Sequence, residues 1–325
     1  AQFICKSADD QDAAAALLAA DLKMTCLKLT LRAARRVRKA VIPAAGFGTR
    51  LFPATHAVKK ELFPVIGPDG LCKPAILAIV EEAVAAGIES IALIVQKGDR
   101  GLFESFFMTP PAVENLHKLP PSAREYSRYV QELGRRITLI EQEVQDGFGH
   151  AVFCARDWTE QEPFLLMLGD HLFVSSIDRC CARQILDRYD RYGLSVVGLM
   201  EAPVEEVHQF GCVAGEWQAD GSLALSEFAE KPDAAFARKH LQVDRLAPDT
   251  FLTLSGQYVL TPRIFEFLED QMRRNLRERG EFQLTSCLDR LRQEDGVMGH
   301  LIQGRRFDIG NPEAYRRTLI EYRNA

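Results

Sequence analysis

The segment Lys39–Pro64 reads KAVIPAAGFGTRLFPATHAVKKELFP and decides the fold. A short apolar run leads directly into small residues and into Gly46 and Gly48, which predicts a buried parallel strand that feeds a tight loop. Glycine at both positions lets backbone N–H groups approach a phosphate chain without a Cβ in the way. Arg50 and Lys60 add positive charge inside and just beyond the loop. The segment therefore predicts a binding site for a triphosphate.

Two common phosphate-binding loops do not fit this segment. A Walker loop requires glycine, four residues and then Gly-Lys-Ser/Thr, and the segment lacks this pattern. A dinucleotide fingerprint requires a third glycine three residues after the second, and that position is Leu51. The sequence therefore argues against a P-loop nucleotidase and against a dinucleotide-dependent dehydrogenase.

The residues that follow alternate between helix and strand patterns. Pro74–Gly87 has proline at its start and glycine at its end, which predicts a helix, and Ser90–Val95 is an apolar run typical of a buried strand. Strand, helix and strand in this order form a βαβ unit and predict a parallel sheet. Ile137–Ile140 continues the pattern as a further strand, whereas Thr109–Arg124 contains four prolines and is predicted to be a surface excursion.

Composition excludes several classes of protein. The 325 residues suffice for one large α/β domain or two ordinary ones, and 47% apolar with 26% charged residues is typical of a globular protein. No apolar run approaches the roughly 18 residues of a membrane span. A net charge of −5 argues against a general nucleic-acid binder. The eight cysteines are scattered without C-x-x-C pairs, which predicts reduced thiols in a cytoplasmic protein and argues against zinc.

A second informative stretch is Glu141–Arg156, EQEVQDGFGHAVFCAR. The pattern places Gln142 at a strand end, Gly147 and Gly149 in a loop, and a helix start near His150. The amide of Gln142 can read a base edge bidentately, and Gly147 permits a base to lie against the backbone. His150 is either a ligand contact or an ordinary residue at the helix start.

A third stretch, Phe164–His171, is an apolar strand that ends in Gly169 and Asp170. Ligands of open α/β sheets bind at the carboxyl ends of strands. An aspartate at such an end, beside a triphosphate, is where a hard divalent cation such as Mg²⁺ would be held. The alternative is that Asp170 only caps the following turn.

Together these motifs resemble a known family. Gly46–Thr55 (GFGTRLFPAT) followed by Lys60–Pro64 (KELFP) resembles the signature loop of sugar-1-phosphate nucleotidylyltransferases, and in particular that of their uridylyltransferase branch. The Gln-x4-Gly-x-Gly-His-Ala spacing that begins at Gln142 is similar to the same branch rather than to the thymidylyl or adenylyl branches. The resemblance covers nearly everything after residue 38.

The resemblance implies an α/β fold, a Rossmann-like α/β/α sandwich with a mixed, mainly parallel central sheet. It implies one catalytic domain over residues 37–325, with a nucleotide-binding part at about 37–170 and a sugar-binding part at about 171–325. Residues 1–36 are then an N-terminal extension, to which we assign no function.

The resemblance also implies roles for individual residues, which fall into four classes. The catalytic cations are Arg50 and Lys60 on the triphosphate and Lys231 on the sugar phosphate; the nucleotide contacts are Ala45, Gly46, Gly48, Thr49, Glu61, Gln142 and Gly147; the sugar contacts are Glu230, Gly211 and Gly256; the metal ligands are Asp170 and Asp308. Four of these residues also have plain structural interpretations. Glu230 and Lys231 can form a solvated surface pair, Gly211 can mark a bulge, and Asp308 can be a turn residue.

The implied activity is the Mg²⁺-dependent transfer of a uridylyl group from UTP to glucose 1-phosphate, which gives UDP-glucose and pyrophosphate. We expect a homo-oligomer without nucleic-acid or membrane partners. Lys59 stands where the branch usually has proline, His56 where it often has lysine, and Gly169 where it has proline, so the sugar and the nucleotide stay open. The alternatives are a nucleotidylyltransferase for another sugar 1-phosphate or for dTTP, CTP or GTP, and a catalytically silent relative that binds a nucleotide sugar and regulates a partner.

Overall fold

The computed structural model describes residues 36–325. Its strands are β1 (Lys39–Pro43), β2 (Pro64–Ile66), β3 (Cys72–Pro74), β4 (Ser90–Gln96), β5 (Ile137–Gln142), β6 (Phe164–Met167), β7 (His171–Ser175), β8 (Ser195–Pro203), β9 (Gly211–Trp217), β10 (Ser222–Glu230), β11 (Thr250–Leu260), β12 (Val297–Leu301) and β13 (Gly304–Asp308). Its α-helices are α1 (Ala54–Ala57), α2 (Ala75–Ala85), α3 (Arg100–Phe107), α4 (Val113–Lys118), α5 (Pro121–Gly134), α6 (Phe148–Phe153), α7 (Arg156–Thr159), α8 (Cys181–Tyr192), α9 (Ala234–His240), α10 (Arg263–Arg273), α11 (Thr285–Asp295) and α12 (Pro312–Glu321). Single turns of 3-10 helix occupy Thr49–Leu51, Lys60–Leu62, Lys97–Asp99, Val207–Gln209 and Tyr322–Asn324.

A nine-stranded sheet in the order β5-β4-β1-β6-β11-β8-β12-β10-β9 forms the centre of the molecule. The strand that precedes the glycine loop, β1, lies between β4 and β6 and is parallel to both, with Val41 opposite Ala92 on one side and Leu166 on the other. All three of these residues are fully buried. A strand that is covered on both faces must be apolar along its whole length, which explains the short apolar run before the loop.

The sheet is mixed, as predicted, but it is not mainly parallel. The pairs β5–β4, β4–β1, β1–β6 and β8–β12 are parallel, whereas β6–β11, β11–β8, β12–β10 and β10–β9 are antiparallel. The antiparallel pairs all involve strands of the second half of the chain. There β9 and β10 are joined by a tight turn at Gly221, whose φ of +79° suits glycine, and such a hairpin forces antiparallel pairing.

Helices cover both faces of this sheet. One apolar cluster packs α2, α3 and α8 on the first face, where Ile79, Phe103 and Ile185 are fully buried. The other cluster packs α6, α10 and α11 on the second face, with Leu268 and Leu288 in its centre. The predicted Rossmann-like α/β/α sandwich is therefore confirmed.

Some predicted boundaries need correction. The proline-rich stretch 109–124 lies at the surface, as predicted, and it contains α4 and the start of α5 at Pro121, where proline suits the first helical turn. The helix predicted near His150 begins at Phe148, so that Gly149 belongs to the helix.

The predicted extension 1–36 lies outside the described residues except for Arg36. Within residues 36–325, no helix combines the length and the apolar character that crossing a bilayer requires. The division of the domain near residue 170 stays a prediction, since one continuous sheet contains strands from both parts.

Candidate active site

A cavity of about 580 Å³ opens beside the carboxyl ends of β1, β5, β6, β10 and β13. Fourteen of the fifteen site residues predicted from the sequence line it: Ala45, Gly46, Gly48, Thr49, Arg50, Lys60, Glu61, Gln142, Gly147, Asp170, Gly211, Glu230, Lys231 and Asp308. These residues are separated by up to 263 positions in the chain and meet because the loops after the strands converge at one edge. The exception is Gly256.

Side chains hold the carbonyl groups of the glycine loop in place. Gln145 Nε2 donates to the carbonyl of Ala45, Lys59 Nζ donates to that of Gly46 at 3.0 Å, and Thr55 Oγ1 donates to that of Gly48 at 3.1 Å. Among the described residues, no acceptor takes a hydrogen bond from the backbone N–H groups of residues 45–48. A run of unpaired amides in a loop is a suitable anion-binding surface.

The two glycines of the loop are required for different reasons. Gly48 has a φ of +73°, and a Cβ there would lie 2.8 Å from Cγ2 of Thr55. Within residues 36–325, no heavy atom lies within 4 Å of the position that a Cβ on Gly46 would take. Gly48 therefore shapes the turn, whereas Gly46 keeps open the space in which a ligand would lie.

Lys60 and Asp170 form an ion pair in the cavity, with Nζ 2.6 Å from Oδ2. Burial alone would raise the pKa of Asp170, but the ammonium group of Lys60, together with His171 and Arg50, outweighs burial and holds that pKa well below the usual range. For Lys60 burial acts to lower the pKa, yet the charges of Asp170 and Glu61 raise it overall. Both groups are thus ionised at neutral pH, and the lysine charge is fixed before any substrate arrives.

Glu61 lies beneath this ion pair and is almost completely buried. Burial raises its pKa to about 7, and the ammonium group of Lys60, whose Nζ lies 3.8 Å from Oε1, is the largest influence against that rise. Its Oε2 atom has no hydrogen-bond partner in the described part of the chain. A buried acceptor of this kind is suited to receive a donor from a bound molecule.

Asp308 brings a second carboxylate beside Asp170. The strands β7 and β13 pair so that Asp308 lies opposite His171, and the N–H of Ile309 donates to the carbonyl of Asp170 at 3.1 Å. A Cβ built on Gly310 would lie 2.9 Å from Oδ1 of Asp308 and 3.1 Å from Oδ2 of Asp170.

The two carboxylates meet the requirements of a magnesium site in donor type and in proximity. Because both lie about 3 Å from one point, their oxygen atoms are within about 6 Å of each other, which brings two anionic oxygen donors together at one place in the cavity. Hard carboxylate oxygen is the donor type that this ion selects. Two protein ligands also leave room for phosphate oxygens and water, as in other magnesium sites that act on phosphates.

The sugar side of the cavity is built from the end of β10 and the start of α11. Thr285 Oγ1 donates to Oε2 of Glu230 at 2.7 Å, and Nζ of Lys231 lies 3.4 Å from Oε1. Lys231 has a φ of +48°, which is uncommon for a residue with a side chain. A Cβ on Gly211 would lie 2.7 Å from Cδ1 of Leu254 and 3.3 Å from Oε2 of Glu230. Glu230 is therefore held at one oxygen by Thr285, and Gly211 keeps the space beside it clear.

Gly256 does not line the cavity. A Cβ there would lie 2.4 Å from Nδ1 of His171 and 2.8 Å from Cδ1 of Leu168, and its φ is +97°. Glycine is thus needed so that His171 can pack against β11 and contact the carbonyl of Ser255 at 2.9 Å. The predicted contact of Gly256 with the sugar stays a prediction, because its surroundings explain the glycine by packing alone.

Gln142 is buried at the end of β5 and reaches the cavity. Its Nε2 atom lies 2.9 Å from Nδ1 of His150 and 3.3 Å from the carbonyl oxygen of Gly147. The amide nitrogen is therefore engaged by the protein, which does not fit the bidentate contact with a base edge that the sequence suggested. Gly147 itself packs tightly, since a Cβ there would lie 2.6 Å from the carbonyl oxygen of Phe282.

Sequence reasoning missed three residues that shape the site. Gln145 lies between Gln142 and Gly147, and this position within a recognised motif was a usable signal. Lys59 was noted only as an extra cation, whereas its Nζ lies 2.8 Å from Oδ2 of Asp99 and anchors the loop. Thr285 gave no signal of its own, because its contact with Glu230 joins elements 55 residues apart.

Comparison with known proteins identifies the family. The profile of the nucleotidyl transferase family matches residues 39–324. A UTP–glucose-1-phosphate uridylyltransferase of Bacillus subtilis (strain 168) is 34% identical over 289 residues, which cover 89% of this chain and 91% of the relative.

Solved structures agree with this comparison. A crystal structure of UDP-glucose pyrophosphorylase without ligand matches with a TM-score of 0.75 and 29% identity. The match covers 88% of this chain and 98% of the chain in that structure. The enzyme in complex with UDP-glucose gives a TM-score of 0.73 at 28% identity, with the same coverage of the two chains. The resemblance found in the sequence is confirmed. The chain belongs to the nucleotidyl transferase family.

Proposed function

We propose that the protein transfers the uridylyl group of UTP to glucose 1-phosphate and releases pyrophosphate, with UDP-glucose as the product. The observation that carries this proposal is the convergence of an open glycine loop, the Lys60–Asp170 pair and the Glu230–Lys231 pair on one cavity. The names of the relatives support UTP and glucose 1-phosphate as the substrates.

The reaction is an in-line displacement at the α-phosphorus of UTP. A phosphate oxygen of the sugar phosphate forms the new bond to phosphorus, and the bond to the pyrophosphate oxygen breaks. The attacking oxygen is already anionic near neutral pH, so the site requires no general base. The protein contributes orientation and neutralisation of charge, which are the main sources of catalysis in phosphoryl and nucleotidyl transfer.

The side chains divide these tasks between the two substrates. Arg50 and Lys60 would bind the triphosphate, and the amides of residues 45–48 would add donors to the same phosphates. Lys231 would bind the sugar phosphate while Glu230, held by Thr285, accepts hydroxyl groups of the sugar. The two sides of the cavity would thus hold the reacting groups in line.

Magnesium is part of the proposal. Asp170 and Asp308 would hold the ion, because their oxygen donors and their spacing fit it. When bound, Mg²⁺ supplies charge neutralisation at the phosphates. The low pKa of Asp170 supports this role, because the carboxylate stays ionised across the physiological range.

The alternatives make different demands on the same cavity. Another nucleotidylyltransferase would keep the cations and the carboxylates and would differ around Gln142. A silent regulatory relative would be expected to lose a catalytic cation or a metal ligand, yet Arg50, Lys60 and Lys231 all line the cavity together with both aspartates.

A test of the function is pyrophosphate release, in the presence of Mg²⁺, from UTP, dTTP, CTP and GTP paired with the 1-phosphates of glucose, galactose, mannose and N-acetylglucosamine. The proposal expects strong release only from UTP with glucose 1-phosphate, and loss of that release in Asp170→Ala. Release from another pair would overturn the substrates and keep the mechanism. If no pair of substrates releases pyrophosphate and the protein still binds UDP-glucose, the regulatory alternative is favoured.

We also propose that the protein forms a homo-oligomer and is located in the cytoplasm. Six cysteines in the described part of the chain are free thiols, which supports a reducing compartment. Size-exclusion chromatography with light scattering would give the oligomeric state, and fractionation of cells would give the location.

A further inference from the structure

Both N–H groups of the Gln142 amide contact acceptors inside the protein. Nε2 lies 3.3 Å from the carbonyl oxygen of Gly147 and 2.9 Å from Nδ1 of His150. A backbone carbonyl can only accept a hydrogen bond, so the nitrogen of the amide, and not its oxygen, must face this side. His150 Nδ1 must then be the unprotonated ring nitrogen, with the proton on Nε2.

The partners of this amide are held rigidly. Gln142 is 3% exposed at the end of β5, and Gly147 packs against the backbone of Phe282. His150 lies on α6, whose second residue, Gly149, donates its N–H to the carbonyl of Phe282 at 2.8 Å. The orientation of the Gln142 amide is therefore set by its surroundings before a base is bound.

The consequence is that Gln142 presents only an acceptor to the cavity. Oε1 takes no hydrogen bond from any residue of the described part, and the side chain lines the cavity. Uracil carries a ring N–H at N3, which can donate to such an oxygen. Cytosine carries a lone pair at the same position, and the two acceptors would repel each other.

We infer that His150 is a positioning residue that fixes the amide of Gln142 with its oxygen toward the base, so that the site selects a pyrimidine with a ring N–H donor over cytosine. The inference rests on the proposed function and adds the origin of its base selectivity. It concerns uracil and thymine together, since both carry this donor.

The test compares UTP with CTP in His150→Leu and His150→Asn. Leucine removes the closer acceptor at a similar volume, and only the longer 3.3 Å contact with the carbonyl of Gly147 then distinguishes the two orientations of the amide. We expect the ratio of kcat/KM for UTP to that for CTP to fall about tenfold or more, mainly through KM for UTP. Asparagine places Oδ1 on Cγ, where Nδ1 of histidine stands, and should restore most of the ratio. An unchanged ratio in folded His150→Leu, or no restoration in His150→Asn, would overturn the inference.

A second measurement needs no variant. The ¹⁵N chemical shifts of the His150 imidazole in the wild-type protein should show a proton on Nε2 and none on Nδ1, whereas a proton on Nδ1 would overturn the inference. The proposed function fails in a different way, by absence of turnover in the wild-type protein. In that case calorimetric affinities for UTP and CTP replace the kinetic ratio, and the same loss of preference in His150→Leu decides the inference.

Discussion

The Nζ atom of Lys60 lies 2.6 Å from Oδ2 of Asp170, although the two residues are 110 positions apart. One follows β1 and the other follows β6, which are neighbours in the sheet. Their side chains are 16% and 15% exposed, so each charge depends on the other for compensation. The sheet order therefore places a proposed phosphate-binding cation directly beside a proposed metal ligand.

Replacing Lys60 by methionine should impair both stability and turnover. The variant leaves Asp170 largely buried without its partner, and we expect a loss of about 2 kcal/mol in the free energy of unfolding, because breaking such a pair costs more than forming it gains. The value of kcat/KM should fall by a factor on the order of 10² to 10³, since a cation at the phosphates is lost. Urea unfolding and pyrophosphate release measure the two effects. The matched control is Lys97→Met, whose lysine is 71% exposed, and an equal loss in both variants would refute the special role of Lys60.

The two loop glycines should respond differently to alanine. Gly48→Ala introduces a Cβ 2.8 Å from Thr55 at a φ of +73°, so we expect a loss of about 1–2 kcal/mol of stability. Gly46→Ala meets no atom within 4 Å and should unfold like the wild type. Its methyl group occupies the open space of the loop, so KM for UTP should rise about tenfold or more. Thermal unfolding and initial rates separate the two cases, and a destabilised Gly46→Ala would contradict this division.

Much of this site could be predicted from the sequence because its residues lie in short local motifs. The glycine loop, the Gly169-Asp170 strand end and Glu230-Lys231 each follow a strand that apolar patterning reveals, and the sheet then brings the strand ends together. Local patterns, together with the family resemblance that they carry, therefore sufficed to predict the fold class and fourteen residues that the structure places in the cavity lining.

The remaining features depend on contacts across the chain. Gly256 has the pattern of a ligand-facing glycine, and only the packing of His171 against it reveals another cause. The pairing direction of β8–β12 depends on which strands become neighbours, and the sequence patterns do not specify this. The engaged amide nitrogen of Gln142 follows from the position of the His150 ring, which a spacing rule does not give.

Thr285 should affect the sugar substrate selectively. Its hydroxyl group donates to Glu230 at 2.7 Å, so Thr285→Val frees a carboxylate oxygen and loosens the side chain that would accept the sugar hydroxyls. We expect KM for glucose 1-phosphate to rise about five- to tenfold and KM for UTP to change less than about twofold. Thr285→Ser keeps the donor and serves as the control. Equal changes in both KM values would indicate a general structural effect instead.

The proposed metal ligands can be tested through the concentration of Mg²⁺. In Asp308→Asn one anionic oxygen is lost, and we expect the Mg²⁺ concentration for half-maximal activity to rise about tenfold or more. Chelation by EDTA should abolish turnover in the wild type, and added Mg²⁺ should restore it. Asp157→Asn, at a side chain that is 88% exposed, should behave as the wild type. Full activity of Asp308→Asn at low Mg²⁺ would argue against this ligand.

A last prediction concerns Glu82, which lies outside the cavity lining. Its Oε1 atom accepts hydrogen bonds from Nε2 of Gln257 and from the N–H of Ala182, both at 3.0 Å. Burial raises the pKa of Glu82 from an ordinary 4.5 to about 7, and these two donors lower it by less. Between these pH values the folded protein holds a proton that the unfolded chain has released. The free energy of unfolding should therefore fall as the pH rises through this window.

The substitution Glu82→Gln keeps the acceptor and removes the titration. At pH 8 the buried carboxylate of Glu82 is ionised in the wild type, which lowers the free energy of unfolding. We therefore expect the variant to be more stable by about 2 kcal/mol, or roughly 4–8 °C in Tm. At pH 5 the gain should nearly vanish, because folded Glu82 is then protonated. Part of the wild-type slope should persist in the variant, since burial also raises the pKa of Glu61 to about 7. Glu89→Gln, at an exposed glutamate, provides the control, and a gain of equal size at both pH values would show that packing, and not ionisation, causes the effect.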